Sequence, residues 1–518
     1  MKLLVNVPTG ENLLAETVEK AEPERVELKR DLTKLESYAT IIGMLVGAGI
    51  FVVTGEAGAQ AGPSVPLAYL LLAPVILTTA VAYSIFMSTP LGIRPGGAYI
   101  HISRTLQGYY TGFISLWLKW LAYIGALVIL STSLGRYLKF FYPAMDQQIA
   151  DLLPGGASLL AAYPAAPSLG EAVIATTALL FFFFFNLIGV KFYGWLQKVM
   201  FIVLSAAIVI LVVPGLFAIE WKNFSPLFPH GFWATTTESG DRGFLAILPS
   251  LFFAYAGFES LAQTAGETKD ARRSLPKIFI HGVLISMLIF FSMSLVAFGT
   301  VPYDELARSS HAMSDAAARF LPSWGGAVVT IGALMAFTTS LNATLFVPAR
   351  ILYVFGEDRV LPQWLSSVSR RFRTPWVSLI VNTVIALALL WTRSFDYVLN
   401  IALVSMFLIY GLHSFALVAL PFIRPALYKT AEVKLRPALI VVFGLISFAS
   451  MLYLTIVTIA RDISRQNNLP AQERGMTLWQ LLLIWVAVGT ALYGLARWEG
   501  RRSGFDYKAQ LTKDWSED

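Results

Sequence analysis

With 518 residues, 56% of them hydrophobic and only 14% charged, and a mean hydropathy of +0.64, the chain lies outside the composition of a soluble globular protein. Its net charge of +7 comes from Lys and Arg in short connections between apolar stretches, which argues against a nucleic-acid-binding face. The absence of cysteine excludes disulfides, thiolate metal sites and a disulfide-linked partner subunit, and no HExxH, nucleophile elbow, Walker sequence or metal-ligand cluster points to an enzyme or a cofactor.

The segment 1–37 mixes Glu with Lys and Arg and has no apolar core of a signal peptide, so it reads as a cytoplasmic tail. Beyond it, apolar stretches long enough to cross about 30 Å of hydrocarbon recur to the end of the chain. They predict spans at 38–60, 65–89, 110–138, 171–189, 196–219, 243–265, 278–300, 325–354, 376–392, 395–420, 437–460 and 477–496. An open sheet would leave backbone groups unpaired in lipid, and the runs do not alternate as barrel strands do, so the expected fold is an all-α integral membrane bundle of about twelve helices. Lys29, Arg30 and Lys34 precede the first span, Arg94 and Arg104 follow the second, and Lys269, Arg272, Arg273 and Lys277 follow the sixth. The connection 141–170 on the opposite side has no Lys or Arg. This bias predicts a multi-pass protein of the cell membrane with both termini, including the tail 497–518, in the cytoplasm.

Two spans carry glycine where helix interiors normally avoid it. The first contains Gly43, Gly47, Gly49, Gly55 and Gly58, with Gly47-Ala48-Gly49-Ile50-Phe51 near its middle, and the sixth contains Phe253-Ala254-Tyr255-Ala256-Gly257-Phe258-Glu259. Interruptions five spans apart point to a binding site halfway through the bilayer, because an unwound helix frees N–H groups suited to a carboxylate and carbonyls suited to an ammonium. A zwitterion satisfies both. Close helix packing is the competing role for the same glycines.

At these residues the chain resembles the amino acid-polyamine-organocation permease family. The resemblance rests on Gly47-Ala48-Gly49-Ile50-Phe51 with Ala61-Gly62-Pro63, on Arg94-Pro95-Gly96-Gly97-Ala98-Tyr99, on Phe252 through Glu259 to Arg273-Ser274-Leu275-Pro276-Lys277, and on Leu341-Asn342-Ala343 through Arg350 to Arg371-Phe372-Arg373-Thr374-Pro375. It implies a five-plus-five inverted repeat, 38–220 and 243–420, followed by two accessory helices in 437–496, and secondary transport of amino acids. It also implies that the Ala48 and Gly49 amides, within the Leu45 to Ile50 stretch, bind a substrate carboxylate. Carbonyls of Leu45, Phe253 and Ala256, beside Gly257, would take its amino group, and Phe253 would gate the site.

Trp120, Tyr123 and Asn342 are further candidates for the pocket. Glu259 is expensive in hydrocarbon and is the candidate for carrying a coupling proton. Lys119 is read as snorkelling towards the headgroups, with a functional cation as the alternative, and His413 as an ordinary buried histidine. Thr338, Thr339 and Ser340 match the place where sodium-coupled proteins of this fold supply hydroxyl ligands, so sodium remains an alternative to proton symport or exchange. A lysine that replaces sodium in some relatives is missing, since Leu204 stands there and Lys198 lies more than a turn earlier. A polyamine carrier and a non-transporting amino acid sensor are the remaining readings. Glutamates at mid-membrane are too few for a polyamine.

Overall fold

The computed structural model describes residues 28–163, 167–237, 240–309, 311–392, 395–469 and 474–512. The remainder of the two expected tails lies outside these residues. The first helix, α1 (Lys34–Ala61), starts four residues before the predicted span because Thr33 caps it: its hydroxyl accepts from the Glu36 N–H while the Glu36 carboxylate accepts from the Thr33 N–H at 2.8 Å. Gly62, with φ of +65°, ends it and turns the chain into α2 (Val65–Met87).

A short helix, α3 (Ala98–Thr105), precedes α4 (Tyr109–Leu138); α5 (Leu169–Ile188) and α6 (Val190–Phe217) follow, joined at Gly189. After a small hairpin of Thr235–Thr237 and Gly240–Arg242, the sixth stretch is split into α7 (Leu248–Ala254) and α8 (Ser260–Gln263). Then come α9 (Ala271–Thr300), α10 (Gly325–Glu357), α11 (Trp376–Thr392), α12 (Phe395–Ile423), α13 (Pro437–Asn468) and α14 (Leu478–Arg502).

Among the described residues, nine helical stretches are long and apolar enough to cross a membrane. The first of these, Lys34–Met87, holds both α1 and α2, while α11 is shorter and α7 and α8 are fragments. Burial sorts the helices. The apolar windows of α4 and α10 are 83% and 78% buried and form the inside, whereas that of α14 is 17% buried and lies at the rim. Large apolar side chains left exposed on the outer helices, such as Phe184, Ile202, Val209 and Leu288, are what a lipid-facing surface requires.

The core is built on α1, which packs against α6, α7, α9 and α10, and on α4, which packs against α5, α10 and α12. Helix α10 packs in turn against α6 and α11, and α2 against α9. At the end where α1 enters the bundle, two buried ion pairs tie distant segments. Arg350 Nη2 lies 2.9 Å from Glu267 Oε1 and its Nε donates to Oε2 at 3.1 Å. Arg104 lies 2.8 Å from Asp358, which also accepts the Tyr99 hydroxyl at 2.6 Å. Leu32 is pinned beside the first pair, its N–H donating to the Glu267 carbonyl at 2.9 Å and its own carbonyl accepting from the Lys269 N–H at 3.0 Å. The segment ahead of α1 is thus part of the bundle.

Candidate functional site

The break in the sixth stretch places the site. Residues 255–259 leave the helix between α7 and α8, and Gly257 has φ of +100°, a value that L side chains rarely adopt. A Cβ there would also stand 2.8 Å from Met44 Cγ of α1, so glycine is needed both for the bend and for the approach of the first helix. Backbone groups at the bend are taken up locally: the Ala256 N–H donates to the Phe253 carbonyl at 2.9 Å and the Ser260 N–H to the Gly257 carbonyl at 2.9 Å.

The Gly257 N–H donates instead to Glu259 Oε2 at 3.0 Å, and the same oxygen accepts the Tyr410 hydroxyl. The other oxygen, Oε1, lies 2.8 Å from Lys119 Nζ and accepts the Tyr123 hydroxyl at 2.7 Å. One carboxylate therefore joins the bend to α4 and α12. This corrects the expectation that Lys119 snorkels: its side chain is 4% exposed and its amine is neutralised inside the bundle. Two charges withdrawn from water need such geometry and such extra donors to persist.

A second correction concerns α1, which is one helix through Gly47, Ala48 and Gly49 rather than the expected interruption. Its glycines are used for contact. A Cβ on Gly47 would overlap Ser340 Oγ and stand 2.5 Å from the Ala336 carbonyl oxygen of α10, and one on Gly49 would overlap Ala254 at the end of α7. Amides of Ala48 and Gly49 would meet a carboxylate only if α1 opened there. The hydroxyls of α10 bond to α1 as well, Thr339 Oγ1 donating to the Gly43 carbonyl at 3.1 Å and Ser340 Oγ to the Gly43 and Met44 carbonyls at 3.0 and 3.2 Å. Thr338 does not join them. Its hydroxyl donates back to Leu334 and Met335 of its own helix. The niche between α1 and α10 is also reached by Gln197 of α6, whose amide donates to the carbonyls of Ala39 and Thr339 at 3.3 and 3.2 Å.

Beside the bend lies a cavity of about 50 Å³. Of the expected residues, Leu45, Gly49, Lys119, Tyr123, Phe253, Ala256 and Gly257 line it. Glu259 stands behind Lys119 and Tyr123, and Ile50 is buried among other side chains. Trp120 points elsewhere, donating to Asn382 Oδ1 of α11 at 2.8 Å and stacking on Trp117. Asn342 is also outside, held on the far side of α10 between Asn186 and Gln197, both at 2.9 Å.

Sequence reasoning named Ser340 only as a sodium-site hydroxyl and missed Met44, Ala122, Ala126, Leu130, Thr344, Ala402 and Met406 as lining residues. A periodic signal existed: Leu45 and Gly49, Lys119 and Tyr123, Ser340 and Thr344, and Ala402 and Met406 each stand one helical turn apart, so each helix turns one short face to the cavity. The result is a mostly apolar chamber with one ammonium, one phenol and two hydroxyls along its wall.

Comparison with known proteins agrees with this architecture. The model of a family described as amino acid permease matches residues 32–487. The chain is similar to the branched-chain amino acid permease BcaP of Bacillus subtilis, at 26% identity over 83% of this chain and 90% of that protein. It is similar to the serine/threonine exchanger SteT of the same organism, at 26% identity over 75% of this chain and 83% of the relative. The methylthioribose transporter of that organism is 24% identical over 92% and 95% of the two chains. Since the match runs from the cap of α1 into α14 and takes in every helix that lines the cavity, the chain belongs to the amino acid permease family, membrane transporters of the amino acid-polyamine-organocation superfamily.

Proposed function

We propose that the chain is a secondary active permease that carries amino acids with neutral side chains across the cell membrane, by proton symport or amino acid exchange, with both termini in the cytoplasm. The observation that carries this reading is the Lys119–Glu259 pair, which leaves the wall of a largely apolar chamber without net charge while linking the bend at Gly257 to α4 and α12. A proton taken by Glu259 would weaken its bonds to three elements at once, which is the physical requirement for coupling protonation to a change of shape.

Alternating access between the halves 38–220 and 243–420 is supported by the packing scheme. The contact of α4 with α12 has its counterpart in that of α10 with α6, the contact of α4 with α5 in that of α10 with α11, and the contact of α1 with α9 in that of α7 with α2. Relatives named for branched-chain amino acids, for serine and threonine and for cationic amino acids occur at similar identity, so they support an amino acid substrate, and the neutral side chain rests on the paired charges of the chamber wall.

Sodium symport is the second reading. It draws on the Thr339 and Ser340 hydroxyls gathered at the carbonyls of α1.

Uptake by reconstituted vesicles decides between them. An inward proton gradient is expected to drive accumulation of labelled leucine, with no loss when choline replaces sodium, and counterflow from preloaded vesicles would identify exchange. Glu259→Gln is expected to flatten the pH dependence of uptake. A variant that keeps the wild-type pH profile would remove Glu259 from the coupling step, and a requirement for sodium would favour the second reading.

A further inference from the structure

The surroundings of Lys119 have the chemistry of a binding site for an alkylammonium ion. Its Nζ lies 2.8 Å from Glu259 Oε1, 4.9 Å from the ring centre of Tyr123 and 5.4 Å from that of Tyr410. A carboxylate with two phenol rings within reach of a cation is what recognises primary ammonium groups in general. The carboxylate is itself held in place, by both phenol hydroxyls and by the Gly257 N–H. Small side chains, Ala122 and Ala126, stand on the face of α4 that carries Lys119 and Tyr123 into the cavity. Neither the apolar lining nor the closure of the bend explains why a cation should be threaded into this wall.

We propose that Glu259, Tyr123 and Tyr410 form a cation subsite at one end of the amino acid chamber and that Lys119 occupies it as a tethered ligand, so that the chain excludes substrates with cationic side chains. This rests on reading the chamber as the amino acid site. With Lys119 in place, an incoming lysine or arginine side chain meets a like charge and finds the Glu259 carboxylate already taken. Without the amine, the same carboxylate is left unpaired and draws in a free ammonium, including the ε-ammonium of lysine. Specificity for neutral side chains is then a property of one residue of α4 rather than of the whole chamber.

The direct test uses the full-length purified protein and n-propylammonium, which replaces the atoms that Lys119→Ala removes beyond Cβ. The variant is expected to unfold at a lower temperature than the wild type and to recover with added n-propylammonium, whereas tetramethylammonium, with no N–H, gives no recovery. Neither the wild type nor Lys119→Ala/Glu259→Gln should respond. In case Lys119→Ala does not fold, Lys119→Gln keeps a donor for Glu259 while removing the charge. In that variant lysine is expected to inhibit leucine uptake at concentrations on the order of tenfold lower than in the wild type.

Two results overturn the proposal: a folded Lys119→Ala protein indifferent to n-propylammonium, and a Lys119→Gln protein that still ignores lysine while transporting leucine. Both leave the amino acid carrier standing. A wild type that moves no amino acid would instead overturn the reading of the chamber, and the n-propylammonium measurement would still report on the cage, because it needs no transport.

Discussion

Replacing Arg350 with Met is expected to destabilise the bundle by about 3–5 kcal/mol, because it strands the Glu267 carboxylate in a site from which water is excluded. The pair is fully enclosed, with side-chain exposures of 1% and 0%, and bidentate, so the loss falls on a carboxylate whose counter-charge among the described residues is this guanidinium. The guanidinium also lies over the Phe346 ring, 3.3 Å from its centre, and a Met side chain keeps much of that apolar contact.

The double variant Arg350→Met/Glu267→Gln should recover most of the stability, since replacing both members of a buried pair is far cheaper than removing one. Thermal unfolding of the purified protein measures this. A single variant that melts with the wild type, or a double variant no better than the single, would show that the pair is not the strut it looks like. Because Leu32 is bonded to the Glu267 backbone beside the pair, the single variant is also expected to raise proteolysis at the segment ahead of α1.

Those two residues show where sequence reasoning stops. The helices were legible because each must present roughly 20 apolar residues to lipid, a requirement written locally. The bend at Gly257 was legible for the same reason, since a glycine beside an ionisable residue is doubly unfavourable inside an unbroken apolar helix and favourable where the helix is interrupted. Partnerships were not legible. Glu267 and Arg350 lie 83 positions apart, and Tyr123 and Glu259 lie 136 apart, so nothing in the neighbourhood of either names the other.

Lys119 illustrates the cost of that gap: seen alone on α4 it invites snorkelling, and only the position of Glu259 shows that its charge is neutralised in place. Trp120 and Asn342 were drawn into the expected pocket by span membership, but the first belongs to the face of α4 towards α11 and the second to the face of α10 towards α5 and α6. The face a residue presents depends on helix rotation, which apolar composition all round the helix leaves undetermined. For Lys119, Tyr123 and Ala126 the turn-by-turn spacing carries that information, but Tyr123 was named on the same ground as Trp120 and not from its spacing.

The glycines of α1 have two possible physical roles, and Gly47→Ala decides between them. If Gly47 is needed for an unwound backbone, the added methyl should weaken substrate binding while leaving the folded protein's stability near that of the wild type. If it is needed for contact, the methyl collides with Ser340 Oγ and with the Ala336 carbonyl oxygen, which is backbone and cannot rotate away. Helix α10 must then shift, at a cost of about 1–3 kcal/mol, larger than the gain of up to about 1 kcal/mol that alanine offers over glycine inside a helix.

Contact wins in this structure, so a lower unfolding temperature is expected. Adding Ser340→Ala should return only the part due to the hydroxyl, since the carbonyl remains in the way. Gly494→Ala is the matched control, because a Cβ there meets nothing within 4 Å and the helix α14 around it is continuous. It should be neutral or slightly stabilising. A Gly47→Ala protein as stable as Gly494→Ala would mean that α1 and α10 are not in contact at this depth, and would return the first helix to the interrupted form its glycines first suggested.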